Sequence, residues 1–269
     1  MDSRRIRWRW DLRLGTLSLA AILIIVAAAA ASYIYHSASI STTLYGQVKE
    51  AIESGDLKSQ QRWLRRYLML KPNDVDAVIQ LALAADQAAE EAERDERGEA
   101  IHRARKQLGN CIARLGEYEG VESSISDLRS RLIERLLQLG GPWYLEAERQ
   151  TLLMRASPDD AQVAKWLALS LQGQFVADAY QERQPYLETD DVDAWTRTSH
   201  LPIGEVLYLA LDRNPGDLDL IAPYLEQIRL NPGLFDQAAE NAARHQQKAD
   251  EAIADLLARD DGRAKLILL

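Results

Sequence analysis

A single cysteine, Cys111, in 269 residues excludes any internal disulfide and any zinc site built from several thiolates. Glycine (14) and proline (8) are too few for a collagen-like or low-complexity chain. Basic residues number 32 against 41 acidic ones, so the broad cationic face of a general nucleic-acid binder is missing, and no nucleic-acid partner is expected. Catalytic signatures are missing too. The four histidines (His36, His102, His200, His245) are scattered, and no His-Glu-x-x-His arrangement occurs. Gly140-Gly141-Pro142 lacks the lysine and further glycines of a phosphate loop and reads as a turn. No Gly-x-Ser-x-Gly elbow or closely spaced Cys/His pair supplies a nucleophile. No catalytic, cofactor-binding or metal-binding residue is therefore expected, and no enzyme activity. Apolar residues at 47% and charged ones at 27% still describe a globular chain with enough length for a core.

Charge is unevenly distributed. Residues 1–13 hold five arginines (Arg4, Arg5, Arg7, Arg9, Arg13) against Asp2 and Asp11, leaving 27 basic and 39 acidic residues elsewhere. From Leu14 to Val48 there is no Asp, Glu, Lys or Arg, and the apolar heart runs from Leu17 to Tyr35. About 20 helical residues cross the roughly 30 Å of a bilayer's hydrocarbon, so this stretch is long enough. Trp8 and Trp10 flank one end and Tyr33 and Tyr35 the other, as interfacial rings do. The expected organisation is a basic cytoplasmic tail at 1–13, a transmembrane helix at 14–36 and an extracytoplasmic body at 37–269, with the arginines holding the N-terminus inside. The competing reading is a cleaved secretory signal, for which Ala29-Ala30-Ala31 offers small residues before Ser32. The apolar run is longer than the 7–15 residues usual in such signals. Ser3-Arg4-Arg5 resembles a twin-arginine start, but Arg7 sits where that pattern wants an apolar residue.

Beyond residue 40, apolar residues recur every three or four positions and nowhere alternate as in a strand. Ile101, Ala104, Leu108, Cys111 and Leu115 form one stripe, and Val121, Ile125, Leu128, Leu132, Leu136 and Leu139 another. The pattern predicts helices near 42–54, 57–70, 75–94, 97–115, 121–139, 143–156, 160–173, 175–187, 202–213, 217–230 and 234–260, with a loop or short helix at 188–200. Four proline turns punctuate them: Lys71-Pro72-Asn73-Asp74, Ser157-Pro158-Asp159-Asp160, Asn214-Pro215-Gly216-Asp217 and Asn231-Pro232-Gly233. Proline cannot continue the preceding helix, and the Asn or Asp after it can cap the next. Gly55, Gly141 and Gly216 each precede a proline by one helix length, the spacing of the second half of a helical hairpin.

At this spacing the chain resembles the tetratricopeptide repeat (TPR) family, whose unit is a 34-residue helix–turn–helix. In Gly55–Asp86, Gly55-Asp56-Leu57 matches the turn, Leu64 and Tyr67 the second helix, Pro72-Asn73-Asp74 its end, and Val78, Leu81, Ala82 and Ala85 the next first helix. Gly141–Leu171 matches through Trp143, Leu153, Pro158, Leu167, Ala168 and Leu171. The chain departs from the family where Gln60 and Glu146 replace its small alanine, and where the proline turns lose the 34-residue phase. The resemblance implies an all-α fold, an irregular α-solenoid of TPR-like hairpins after the transmembrane helix, whose concave face binds a protein or peptide partner.

The remaining features have bland readings. Glu188–Asp193 lacks the glycine and distal glutamate of a calcium loop and reads as an acidic helix start. Glu90–Glu99 reads as a solvated face with ion pairs, His102 and His245 as solvated, and Cys111 as a buried inert thiol. Trp63, Trp143, Trp166 and Trp195 read as packing between hairpins in preference to a binding groove, leaving the partner-binding residues unassigned. The apolar end Leu266-Ile267-Leu268-Leu269 would self-associate or continue into a longer chain, in preference to folding back on the last hairpin. Together these point to a membrane-tethered scaffold or adaptor; a secreted TPR-like protein and the binding portion of a larger envelope enzyme or assembly factor are the rivals. Replacing Arg4, Arg5, Arg7, Arg9 and Arg13 by glutamine should give mixed orientation of a topology reporter fused after residue 60. A reporter that is already cytoplasmic in the unaltered protein overturns the N-in orientation.

Overall fold

The computed structural model describes residues 12–154, 157, 160–177, 194–230 and 239–258. Eleven α-helices and no strand occur among them: α1 (Leu12–Glu53), α2 (Leu57–Leu70), α3 (Val75–Glu90), α4 (Arg94–Leu115), α5 (Glu122–Leu139), α6 (Trp143–Leu152), α7 (Ala161–Val176), α8 (Ala194–Ser199), α9 (Ile203–Arg213), α10 (Leu218–Leu230) and α11 (Ala239–Leu257). The protein is all-α, as the periodicity predicts. The Asn231-Pro232-Gly233 turn, the stretches at 178–187 and 188–193, most of the basic tail and the C-terminal apolar end lie outside the described residues.

Two compact units divide the chain, Met1–Ala84 and Ala85–Leu269. In the first, α1 runs 42 residues without a break, about 63 Å at 1.5 Å per residue. The periodicity leaves a gap between the apolar segment and a helix at 42–54; the structure fills it, since nothing from Ser37 to Thr42 breaks a helix and Ser41, Thr42 and Thr43 hydrogen-bond back to carbonyls within α1. Every described side chain from 18 to 40 is exposed. This is the one described helix long and apolar enough to cross a membrane.

The end of α1 is fixed by two residues. Gly55 takes φ +69°, donates its N–H to Ile52 at 3.1 Å, and is followed by Asp56 donating to Ala51 at 3.0 Å. That is the Schellman pattern, which satisfies the last carbonyls of the helix. Asp56 then accepts from the Ser59 N–H at 3.0 Å and caps α2. The chain reverses, and Val48, Leu64, Ala77 and Leu81 close a small core flanked by Trp63, Tyr67 and Leu68. At the next turn Asp74 caps α3 through the Ala77 N–H (3.0 Å) and accepts from the Tyr67 hydroxyl (2.6 Å). That bond, then burial and the carboxylate charge, push the Tyr67 phenol up to about 12.

In the second unit, helices pack on their chain neighbours: α4 on α5, α5 on α6, α6 on α7, α7 on α9, α9 on α10 and α10 on α11, with α5 and α10 also touching α7. Helix α7 is buried along most of its length, so small and apolar residues predominate on it, and Gln172 and Gln174 are buried with them. Its Val163, Trp166, Leu167 and Leu171 meet Ile133, Leu207, Leu211, Leu220 and Tyr224 in the main core. The proline turns behave as their composition dictates. Asp160 caps α7 through the Gln162 and Val163 N–H groups, and Asp217 accepts from Asp219 N–H at the start of α10.

Several polar groups buried inside the unit are paired. Asp86, fully buried, takes Arg135 at 2.6 Å and Arg131 at 3.1 Å, while Arg135 also reaches Glu90 at 2.6 Å. Removing one partner from such a buried pair typically costs about 3–5 kcal/mol, because the other charge is stranded. Part of the Glu90–Glu99 run therefore holds an internal ion pair, while its Glu91–Glu93 stretch is the break between α3 and α4, earlier than the pattern predicts.

Gly173 of α7 lies against the ring of Tyr144, where a Cβ would come within 2.4 Å of Cε1 and Cζ. Alanine usually stabilises a helix interior by about 1 kcal/mol over glycine, whereas overpacking costs about 1–3 kcal/mol. Gly173→Ala should therefore lower the denaturation midpoint, the reverse of the ordinary sign, and should regain the ordinary sign in a Tyr144→Ala background. Stabilisation by Gly173→Ala alone would show that Tyr144 yields freely.

Candidate functional site

The turn before α6 borders an open cleft. Gly140 (φ +66°) and Gly141 (φ +55°) both occupy the left-handed region, which a side chain would strain. Pro142 follows at φ −65° as the N-cap residue, with its missing N–H costing nothing at a helix start. Gly140-Gly141-Pro142 is thus a turn, as its composition implies. It directs Tyr144 towards α7 and the neighbouring Trp143 towards α4.

Between α4, α5 and the start of α6 lies an open cleft of about 460 Å³, within the size range of small-ligand and peptide-side-chain sites. Leu132 and Leu136 of α5 supply apolar walls, Pro142, Trp143 and Leu145 a second apolar side, and Arg105 and Gly109 the α4 side. The Arg105 guanidinium stacks 4.0 Å from the centroid of the Trp143 ring. Attraction between cation and ring face at this distance is worth about 0.5–2 kcal/mol. His102 meets the same ring edge-on at 5.9 Å. The buried Nε of Arg105 has no hydrogen-bond partner among the described residues. On the opposite rim, Gln150 donates to Glu146 at 2.7 Å and accepts from Arg129 at 3.2 Å. Burial pulls the Arg129 guanidinium below its ordinary value.

This arrangement can hold an apolar side chain against leucine and tryptophan while offering a hydrogen bond and positive charge to an acceptor beside it. It contains no activated nucleophile and no paired acid and base. Among the described residues, no group of three His, Cys, Asp or Glu side chains is placed to hold a metal. The acidic cluster Glu188–Asp193 lies outside those residues.

The other residues named from the sequence fall as follows. Trp166 is buried in the main core and Trp63 packs on the small core of the first unit, whereas Trp143 lines the cleft. The side chain of Trp195 is not among those described. Leu64, Leu167, Ala168 and Leu171 are buried, Leu153 is largely exposed, and Pro158 is outside the described set. His102 is exposed as expected, but His245 is not solvated: it is 3% exposed. Its Nδ1 faces the Tyr224 hydroxyl at 2.8 Å and its Nε2 faces Glu205 at 3.0 Å, with Arg244 gripping both Glu205 oxygens. The hydrogen-bond geometry suits a phenol donating to Nδ1 and an Nε2–H donating to the carboxylate. Tyr224 is fully buried, and burial first, then Tyr208 and Glu205, push its phenol well above the ordinary value. This chain therefore locks α9, α10 and α11 together and is out of a substrate's reach. Its partners are separated by 21 and 40 positions, so no local pattern signals it.

No protein-family model matches the chain, and no curated protein matches it. The fold and the cleft thus define only a class: an all-α helical-hairpin protein with one exposed apolar N-terminal helix and an open aromatic cleft.

Cys111 is buried in α4, and burial, opposed weakly by Arg114, pushes its thiol up to about 11. At pH 8 such a thiol is ionised in about one molecule in a thousand, against roughly a quarter for a free thiol. Alkylation of the native protein by iodoacetamide at pH 8, followed by mass spectrometry, should be at least about a hundredfold slower than after unfolding. Comparable rates would show that the thiol is neither buried nor inert.

Proposed function

We propose that this protein is a membrane-tethered interaction scaffold that binds a protein or peptide partner and performs no chemistry. Residues 14–36 anchor it, the arginine-rich tail stays in the cytoplasm, and the body works outside it as an irregular α-solenoid of TPR-like hairpins. Chain-order packing of helices in the second unit, and the glycine and proline turns between hairpins, support the solenoid reading. The exposed apolar stretch of α1 supports the tether.

The observation that carries the binding role is the cleft at Trp143. Interface hot spots favour tryptophan and arginine in desolvated pockets, and here the two are stacked over a leucine floor. The partner's apolar side chain would lie on Trp143, with an acceptor next to it on Arg105. Anchoring makes such a weak contact useful by raising local concentration at the membrane.

Gly109 allows a test that spares the fold, because a Cβ there meets nothing within 4 Å and the residue lines the cleft. Gly109→Leu should fill the cleft while keeping the helical spectrum, with melting no lower than that of the unaltered protein, since it replaces a glycine inside a helix. A photo-crosslinker in place of the exposed Leu145, used in intact membranes, should give a defined protein adduct that is lost with Gly109→Leu and with Trp143→Ala. An adduct that persists undiminished in both folded variants overturns the cleft as the binding site.

A further inference from the structure

From Leu57 to Asn73 the chain carries five cations, Lys58, Arg62, Arg65, Arg66 and Lys71, and no carboxylate, although the chain as a whole is acidic. On α2 the exposed residues Lys58, Arg62, Arg65, Arg66 and Met69 follow helical spacing and form one stripe opposite the buried Leu64. Arg65, Arg66 and Lys71 form no ion pair among the described residues. Arg65 bonds only weakly to Gln61 at 3.4 Å, and Arg66 lies 4.8 Å over the ring of Trp63. Met69 is 82% exposed, although methionine has no polar group to satisfy in water. The nearby acids are Asp74, which is taken up by Tyr67 and the start of α3, and the exposed Asp76.

The hairpin decides where this stripe points. Tyr45 of α1 stands beside Tyr67 of α2 with ring centroids 5.3 Å apart, so α2 runs back along α1 towards its apolar stretch. Counting four residues on from that pair in each helix brings Lys71 level with about residue 41 of α1, roughly 9 Å along the axis from Tyr35. The headgroup layer is about 5–7 Å thick on each side of the hydrocarbon. Charges act over a screening length of about 8 Å, and long basic side chains stretch towards their preferred surroundings. The C-terminal turn of α2 therefore stands at the lipid surface, while the Gly55 turn lies further out.

We propose that Arg65, Arg66, Met69 and Lys71 form a foot that binds the anionic phospholipid headgroups of the membrane entered by α1. The cations take lipid phosphates, and Met69, level with residue 43 and about 12 Å beyond Tyr35 by the same count, lies over the headgroup layer. The inference rests on the anchor reading of residues 14–36. With α1 unbroken from the apolar stretch to the hairpin, the foot fixes the tilt and rotation of the first unit on the membrane.

The test uses the full chain in lipid vesicles, with Cys111→Ala and a single nitroxide at Met69→Cys, Glu53→Cys or Ile24→Cys. Collision with a neutral aqueous nickel chelate is compared in phosphatidylcholine with and without phosphatidylglycerol. With the anionic lipid, the label at 69 should lose nickel accessibility several-fold, while the label at 53 stays open. High salt, or Arg65→Gln with Arg66→Gln and Lys71→Gln, should restore it. Equal accessibility at 69 in both lipids, with 24 shielded from nickel, overturns the foot and leaves the anchor standing. Nickel access at 24 overturns the anchor and the foot together.

Discussion

An apolar surface that the chain itself leaves uncovered governs the first unit. Leu19, Ile22, Leu23, Ile24, Ile25 and Val26 are each more than half exposed, on a stretch of helix that no other described residue covers. Moving each of these side chains out of water is worth about 1.5–3 kcal/mol. Together that is of the order of a whole domain's stability, about 5–15 kcal/mol. Such a surface needs an apolar cover, and in the reading proposed above the bilayer supplies it. The same helix continues to the Gly55 turn and contributes Val48 to the small core, so whatever holds the apolar stretch also sets the direction of the first hairpin.

The second unit depends on a different constraint, the close packing around α7. A helix buried on most sides tolerates little bulk, and Gly173 gives up its side chain so that the ring of Tyr144 can lie against it. Tyr144 is placed there by the double-glycine turn, which also turns Trp143 onto Arg105. One short turn thus serves packing through one residue and builds the cleft through its neighbour. Buried polar pairs such as Asp86 with Arg135 and Tyr224 with His245 fix the register of helices that apolar contact alone would let slide.

The sequence by itself determined the local features. Helical periodicity, the charge-free segment, the glycine at Gly55 and the caps at Asp74, Asp160 and Asp217 all act within a few residues, so their physics is written in adjacent positions. The turn at Gly140-Gly141-Pro142 and the burial of Cys111 were legible for the same reason. Only the tertiary structure decided that Trp143 lines a cleft while Trp166 fills a core, because both sit on amphipathic helices and only the neighbouring helices distinguish them. It alone buried His245, whose charged helix looks solvated until Glu205 and Tyr224 arrive from 40 and 21 positions away. It also turned the cations of α2 into one face directed back along α1, since the direction of a helix depends on what it packs against.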